Sequence, residues 1–168
     1  LARIEIPSSI TSIGSKSFEN CTSLVEVIIP SSVKTINSHA FNKCTSLKQI
    51  NIPSSVTTIE LGAFAGCSSL IEIEIPPSIT KISSSMFMDC TSLVNVSIPS
   101  SVTDIQGCVF LRCNSLTQIV IPPSVKYISY SVFDGCSNLK QIQIPPSINS
   151  QIKKIGLNSK VVVKLLPE

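Results

Sequence analysis

Leu47-Lys48-Gln49-Ile50-Asn51-Ile52-Pro53-Ser54-Ser55-Val56-Thr57-Thr58-Ile59-Glu60-Leu61-Gly62-Ala63-Phe64-Ala65-Gly66-Cys67-Ser68-Ser69 is one turn of a repeat whose period is 23 residues. Pro7, Pro30, Pro53, Pro76, Pro99, Pro122 and Pro145 keep that interval. So do Cys21, Cys44, Cys67, Cys90, Cys113 and Cys136. The six Phe of the chain, Phe18 to Phe133, keep it too. A fixed period of this length marks a solenoid, in which each coil buries its apolar face only against its neighbours. Six unbroken units run from Pro7 to Ile144, and Leu1 is already in phase, so the sequence is expected to be a piece of a longer protein.

Within the unit, Ile50-Asn51-Ile52 and Ile73-Glu74-Ile75 alternate apolar and polar residues, and β-branched residues dominate. That pattern predicts a strand with one buried face. Successive strands must then lie parallel at about 4.8 Å, and seven rungs give a sheet roughly 30 Å wide. Proline ends each strand because it has no N–H to give the ladder. The Ser-Ser or Pro-Ser that follows turns the chain. Val56 and Ile59, with Thr between them, predict a short second strand, with a helical turn as the alternative. Phe64 and Cys67, three apart, predict one helical or 3₁₀ turn on the outer side.

The cores Leu24-x-x-Val27-x-Ile29 and Leu70-x-x-Ile73-x-Ile75 resemble the strand of leucine-rich repeats. The whole unit, best copied in Gly62-Ala63-Phe64-Ala65-Gly66-Cys67-Ser68-Ser69-Leu70, resembles the BspA-like class of that repeat. The resemblance implies a right-handed solenoid with its parallel sheet on the concave face and short strands and helical turns outside. It also implies a segment of a large surface protein that binds other proteins, at the cell surface or outside the cell. The Gly usual after the second Ile occurs only as Gly14; Asn37, Glu60, Ser83, Gln106 and Ser129 replace it, and relaxed outer turns are the expectation. The repeat array is assigned to residues 1–148. Residues 149–168 lose the pattern and read as a degenerate last coil or cap, with Val161–Leu165 as a candidate final strand.

Composition narrows the function classes. Hydrophobic residues make up 43% of the chain and charged residues 14%, too apolar for a disordered segment. No apolar run approaches a membrane span. The net charge is +3 and the basic residues are not interleaved with aromatics, so nucleic acid is not an expected partner. One Cys per coil lacks the close paired spacing of disulfide or zinc sequences and predicts reduced, buried thiols. Cys108 falls off the grid and is expected to be partly exposed. The single His, His39, falls in an outer turn and is expected at the surface. No phosphate loop, paired-His motif or nucleophile elbow is present, so no catalytic residue, metal or cofactor is predicted. The sequons Asn20-Cys21-Thr22 and Asn95-Val96-Ser97 are read as incidental.

What remains is the solvent side of the strands. Glu26, Ile28, Gln49, Asn51, Glu72, Glu74, Asn95, Ser97, Gln118 and Val120 flank the central Ile or Val of each strand and are expected to point away from the core. They vary from coil to coil while the scaffold does not. They are therefore the candidate binding surface for a protein partner. Two settings stay open: a recognition or adhesion segment of a surface protein, and an intracellular scaffold.

Overall fold

The computed structural model describes residues 2–167; Leu1, the first residue in phase with the repeat, and Glu168 lie outside them. Two columns of short parallel strands run the length of the stack. The first holds β1 (Arg3–Glu5), β3 (Glu26–Ile28), β6 (Glu72–Glu74), β8 (Asn95–Ser97), β10 (Gln118–Val120), β12 (Gln141–Ile144) and β13 (Val162–Leu165). The second holds β2 (Ser12–Ile13), β4 (Thr35–Ile36), β5 (Thr58–Ile59), β7 (Lys81–Ile82), β9 (Asp104–Ile105) and β11 (Tyr127–Ile128). Register follows the period: Ile4 pairs with Val27, Ile73 with Val96 and Ile119 with Ile142. The second strand of the coil, rather than its helical alternative, is thus what forms.

The first column is less continuous than expected. It consists of the ladders β1–β3, β6–β8 and β10–β12–β13, and residues 49–51 form no strand. Both interruptions adjoin a rung carrying Asn, Asn51 in one case and Asn95 in the other, and Asn is depleted in strands.

The outer turn also departs from expectation. No helix forms between Ile59 and Cys67 or at the equivalent positions of the other coils. Each turn instead carries two left-handed residues four apart: Lys16 and Asn20, His39 and Lys43, Gly62 and Gly66, Ser85 and Asp89, Cys108 and Arg112, Ser131 and Gly135. A left-handed residue cannot continue a right-handed helix. It lets the turn bond to its neighbour, as when the N–H groups of Lys16, Phe18 and Asn20 donate to the carbonyls of Ser38, Ala40 and Asn42 at 2.8–3.1 Å. Glycine suits Gly66 (φ +72°) in particular, where an added Cβ would come within 3.0 Å of Lys43.

Several interior columns hold one residue type, whereas the buried column Ala40, Ala63, Met86, Val109 and Val132 does not. Leu47, Leu70, Leu93 and Leu116 are fully buried, as are Phe41, Phe64, Phe87 and Phe110. Consecutive Phe rings stack with centroids 5.1–6.0 Å apart and planes within 12°. That spacing exceeds the roughly 4.8 Å of parallel strands. The Phe side of the stack is the wider one, so the molecule curves with the first strand column inside.

Serine has an equally repetitive task. The hydroxyls of Ser32, Ser55, Ser78, Ser101 and Ser147 donate to the carbonyls of Ile10, Val33, Val56, Ile79 and Val125 at 2.5–2.9 Å. Only in Ser124 is the buried hydroxyl without a partner, among the described residues. Three of the five residues standing in for Gly14 are likewise tied down rather than relaxed. Asn37 donates to the Ile13 carbonyl, Ser83 to the Ile59 carbonyl, and the Glu60 carboxylate accepts from both the N–H and hydroxyl of Ser38.

After Ile144 a 3₁₀ helix, Pro146–Lys154, replaces the second strand. β13 then lies parallel to β12, Gln141 pairing with Val162, so the last interval is 21 residues instead of 23. Among the described residues no helix is long and apolar enough to cross a membrane.

Candidate functional site

The strands place alternate side chains on opposite faces, and the first column shows the inner face clearly. Val27, Ile73 and Ile119 are buried, whereas Glu26, Glu72, Glu74, Gln118 and Val120 are exposed. Gln49 and Asn51 are also exposed, although their rung forms no strand. An open groove of about 740 Å³ lies over this face, with Glu26, Ile28, Gln49, Asn51, Glu72 and Glu74 along it and Asn95 and Ser97 at its far side. Eight of the ten predicted residues therefore line one depression. Gln118 and Val120 do not, and continue the face beyond it. Ile28, expected to be exposed, is half-buried.

The charges are arranged by register. Arg3 pairs with Glu26 across β1 and β3, Nε to Oε2 at 3.2 Å. Glu72 faces Asn95 and Glu74 faces Ser97 in the ladder. Like charges directly opposite would repel. In the rows 26-49-72-95 and 28-51-74-97 no carboxylate has another as its neighbour, because a neutral residue always intervenes.

The remaining reactive groups sit elsewhere. The thiols of Cys44, Cys67, Cys90, Cys113 and Cys136 are buried and free, and each donates to the carbonyl of a Phe in the coil before, Phe18 to Phe110, at 3.0–3.2 Å. Burial pushes the Cys44 and Cys136 thiols up to about 12 and raises Cys67, Cys90 and Cys113 strongly as well. These sulfurs are structural donors, poor nucleophiles and poor metal ligands. Cys21, at the end of the column, is half-buried, as is Cys108. His39, expected at the surface, is half-buried with its ring over Gly62. Among the described residues no cluster of His, Cys, Asp and Glu is gathered for a metal ion.

One feature beside the groove escaped the sequence reading. Val25, Ile71 and Val94 are exposed apolar residues immediately before the strands. The signal was present, since the residue after the repeated Leu is Val or Ile in three coils and Lys or Thr in others, but that position carries no expectation in the repeat pattern.

A solenoid with repeated Leu, Phe and Cys columns inside and an open, varied strand face belongs to the leucine-rich repeat class of binding scaffolds. A family model described as the BspA type leucine rich repeat region matches residues 1–117 and 106–159, with six copies. The chain belongs to that family. It is similar to a leucine rich cell surface protein of Faecalibacterium prausnitzii A2-165, at 40% identity and a TM-score of 0.80. That match covers 86% of this chain and 39% of the relative, so the chain spans well under half of that protein. It is also similar to the leucine rich repeat protein of T. pallidum, at 31% identity and a TM-score of 0.82, over 96% of this chain and 86% of that one. The pneumococcal vaccine antigen PcpA shares the fold, at 22% identity and a TM-score of 0.56, over 99% of this chain and 55% of that one. No curated protein matches the chain.

Proposed function

We propose that this chain is a non-catalytic recognition segment of a larger surface protein and that it binds a protein partner through the first strand column. The observation that carries this reading is the contrast within each coil between the unchanging Leu, Phe and Cys columns and the varied residues along the groove. The groove supports it by gathering eight varied residues on one concave face. A stable interface needs roughly 800 Å² per partner, and seven rungs offer an area of that order. The surface setting is supported by the relative from Faecalibacterium prausnitzii, which is described as a cell surface protein. An intracellular scaffold is the second reading, favoured by seven cysteines that are all free.

The test compares two variants of the chain, immobilised side by side and exposed to a panel of purified extracellular proteins. Glu72→Lys/Glu74→Lys should weaken binding by at least about tenfold, the equivalent of 1.4 kcal/mol. His39→Ala/Lys43→Ala, on the outer turns, should leave it unchanged. Loss of binding in the outer-turn variant alone assigns the partner to the wrong face.

A further inference from the structure

A second row of side chains runs along the rim of the strand face. Val25, Lys48, Ile71, Val94, Thr117 and Lys140 follow one another at the repeat interval. The Ile71 N–H donates to the Lys48 carbonyl at 3.0 Å and the Val94 N–H to the Ile71 carbonyl at 2.8 Å. Successive members therefore stand about one parallel-strand spacing apart, ~4.8 Å. Val25, Ile71 and Val94 are 42%, 47% and 39% exposed, although each directly follows a buried Leu. Scattered exposed apolar residues need no explanation, but a stacked row beside a groove does. A shallow depression joins this row to the groove, lined by Val25, Glu26, Lys48, Gln49, Ile71 and Glu72.

The charge of the adjoining face limits what can cover that row. Glu26 is engaged by Arg3. Glu72 and Glu74 have no Lys or Arg within 4.0 Å among the described residues, in a chain with 13 of them. The two carboxylates alternate along one strand, roughly 7 Å apart. An apolar occupant would strip water from both without replacing it, which is costly. An acidic one, including a nucleic acid, would be repelled.

Taking the strand face as the protein-binding surface, we infer that its occupant is a protein segment of mixed chemistry. The segment sets Lys or Arg against Glu72 and Glu74 and apolar side chains against Ile71 and Val94. Extended chain presents alternate side chains at the same ~7 Å interval, so an extended segment matches the carboxylate spacing.

The test selects binders for the intact chain from a displayed library of random peptides. The enriched peptides are then titrated against four proteins: the wild type, Glu72→Gln/Glu74→Gln, Ile71→Ser/Val94→Ser and His39→Ala/Lys43→Ala. Expected are peptides rich in Lys or Arg beside apolar residues. Their affinity should fall about tenfold or more for the amide pair, and about three- to tenfold for the Ser pair. It should hold for the outer-turn variant and weaken as salt is raised. The amide pair is nearly isosteric and exposed, so it keeps the test decisive should the Ser pair fold poorly. Peptides that shift the NMR signals of residues 71–74 yet lack basic residues, and bind the amide pair as tightly as wild type, overturn the inference and leave the strand face standing. Peptides lost only on the outer-turn variant overturn both. A dimer that forms on this face and is abolished by the amide pair, read by sedimentation, also overturns it.

Discussion

Phe64 and Glu72 lie in neighbouring segments of one coil, and they are governed differently. Phe64 is fully buried with its ring between Phe41 and Phe87, and each of the six repeat units has Phe there. Glu72 is exposed, and its counterparts in the adjacent coils are Gln49 and Asn95. In a stack generated by translation, an interior residue meets copies of its own position above and below. Such a position must be self-complementary. Phe stacks on Phe; Cys and Ser each donate to a backbone carbonyl of the coil before. A solvent-facing residue meets its copies only at the edges, and needs only to avoid a like charge.

The largest expected effect is in the Phe column. Phe64→Ala should cost about 3–5 kcal/mol in chemical denaturation, by opening a cavity between two rings. Phe18→Ala should cost less, because Phe18 is half-buried and stacks only on Phe41 among the described residues. Equal losses would break the comparison, since they would mean that stacking on both sides does not matter.

The Cys column gives the next effect. An unfolded thiol releases its proton near the ordinary value of 9.0, whereas burial holds Cys44 and Cys136 protonated up to about 12. Above pH 9 the unfolded chain therefore binds fewer protons than the folded one. The thiols' contribution to stability should be constant below pH 9 and fall as the pH rises from 9 towards 12, by up to about 1.4 kcal/mol per pH unit for each fully buried thiol. Urea midpoints across that range measure it, and Cys67→Ala/Cys90→Ala should flatten the slope. An unchanged slope would remove the thiols from the account.

The smallest effect is the sharpest. Ser101 and Ser124 occupy the same place in the repeat, but only Ser101 bonds its carbonyl, that of Ile79. Ser101→Ala should cost about 1 kcal/mol, while Ser124→Ala should be neutral or mildly stabilising, within about 0.5 kcal/mol. Thermal melts of the pair decide whether position or hydrogen bond sets the contribution.

The period, the strands, the interior columns and the inner face were legible because each rests on a side chain's size or polarity. The outer turns were not, because the left-handed positions are held by Lys, Asn, His, Ser, Asp, Cys and Arg as well as Gly, so glycine did not mark them. The ties made by Asn37 and Glu60 were hidden for a related reason. Both partners lie in the preceding coil, Ile13 for Asn37 and Ser38, 22 residues away, for Glu60, and no local pattern reveals either. The thiol donors were read as small apolar residues, since a weak S–H donor shows itself only when the facing carbonyl is known. Among site residues, the alternation of Glu72-Ile73-Glu74 was readable, whereas the rim row required knowing where the turn before each strand faces.

The Phe, Cys and Ser columns carry a consequence for how such a protein can change its length. Each interior interface presents the same chemistry on its upper and lower sides. A 23-residue copy gained in frame by duplication would meet matching rings, thiols and hydroxyls on both sides, and a copy lost would leave ends that still fit. Each such event would add or remove about 5 Å of concave surface, carrying side chains free to diverge afterwards. Recognition can thus be extended in whole modules while the joints between them stay unaltered.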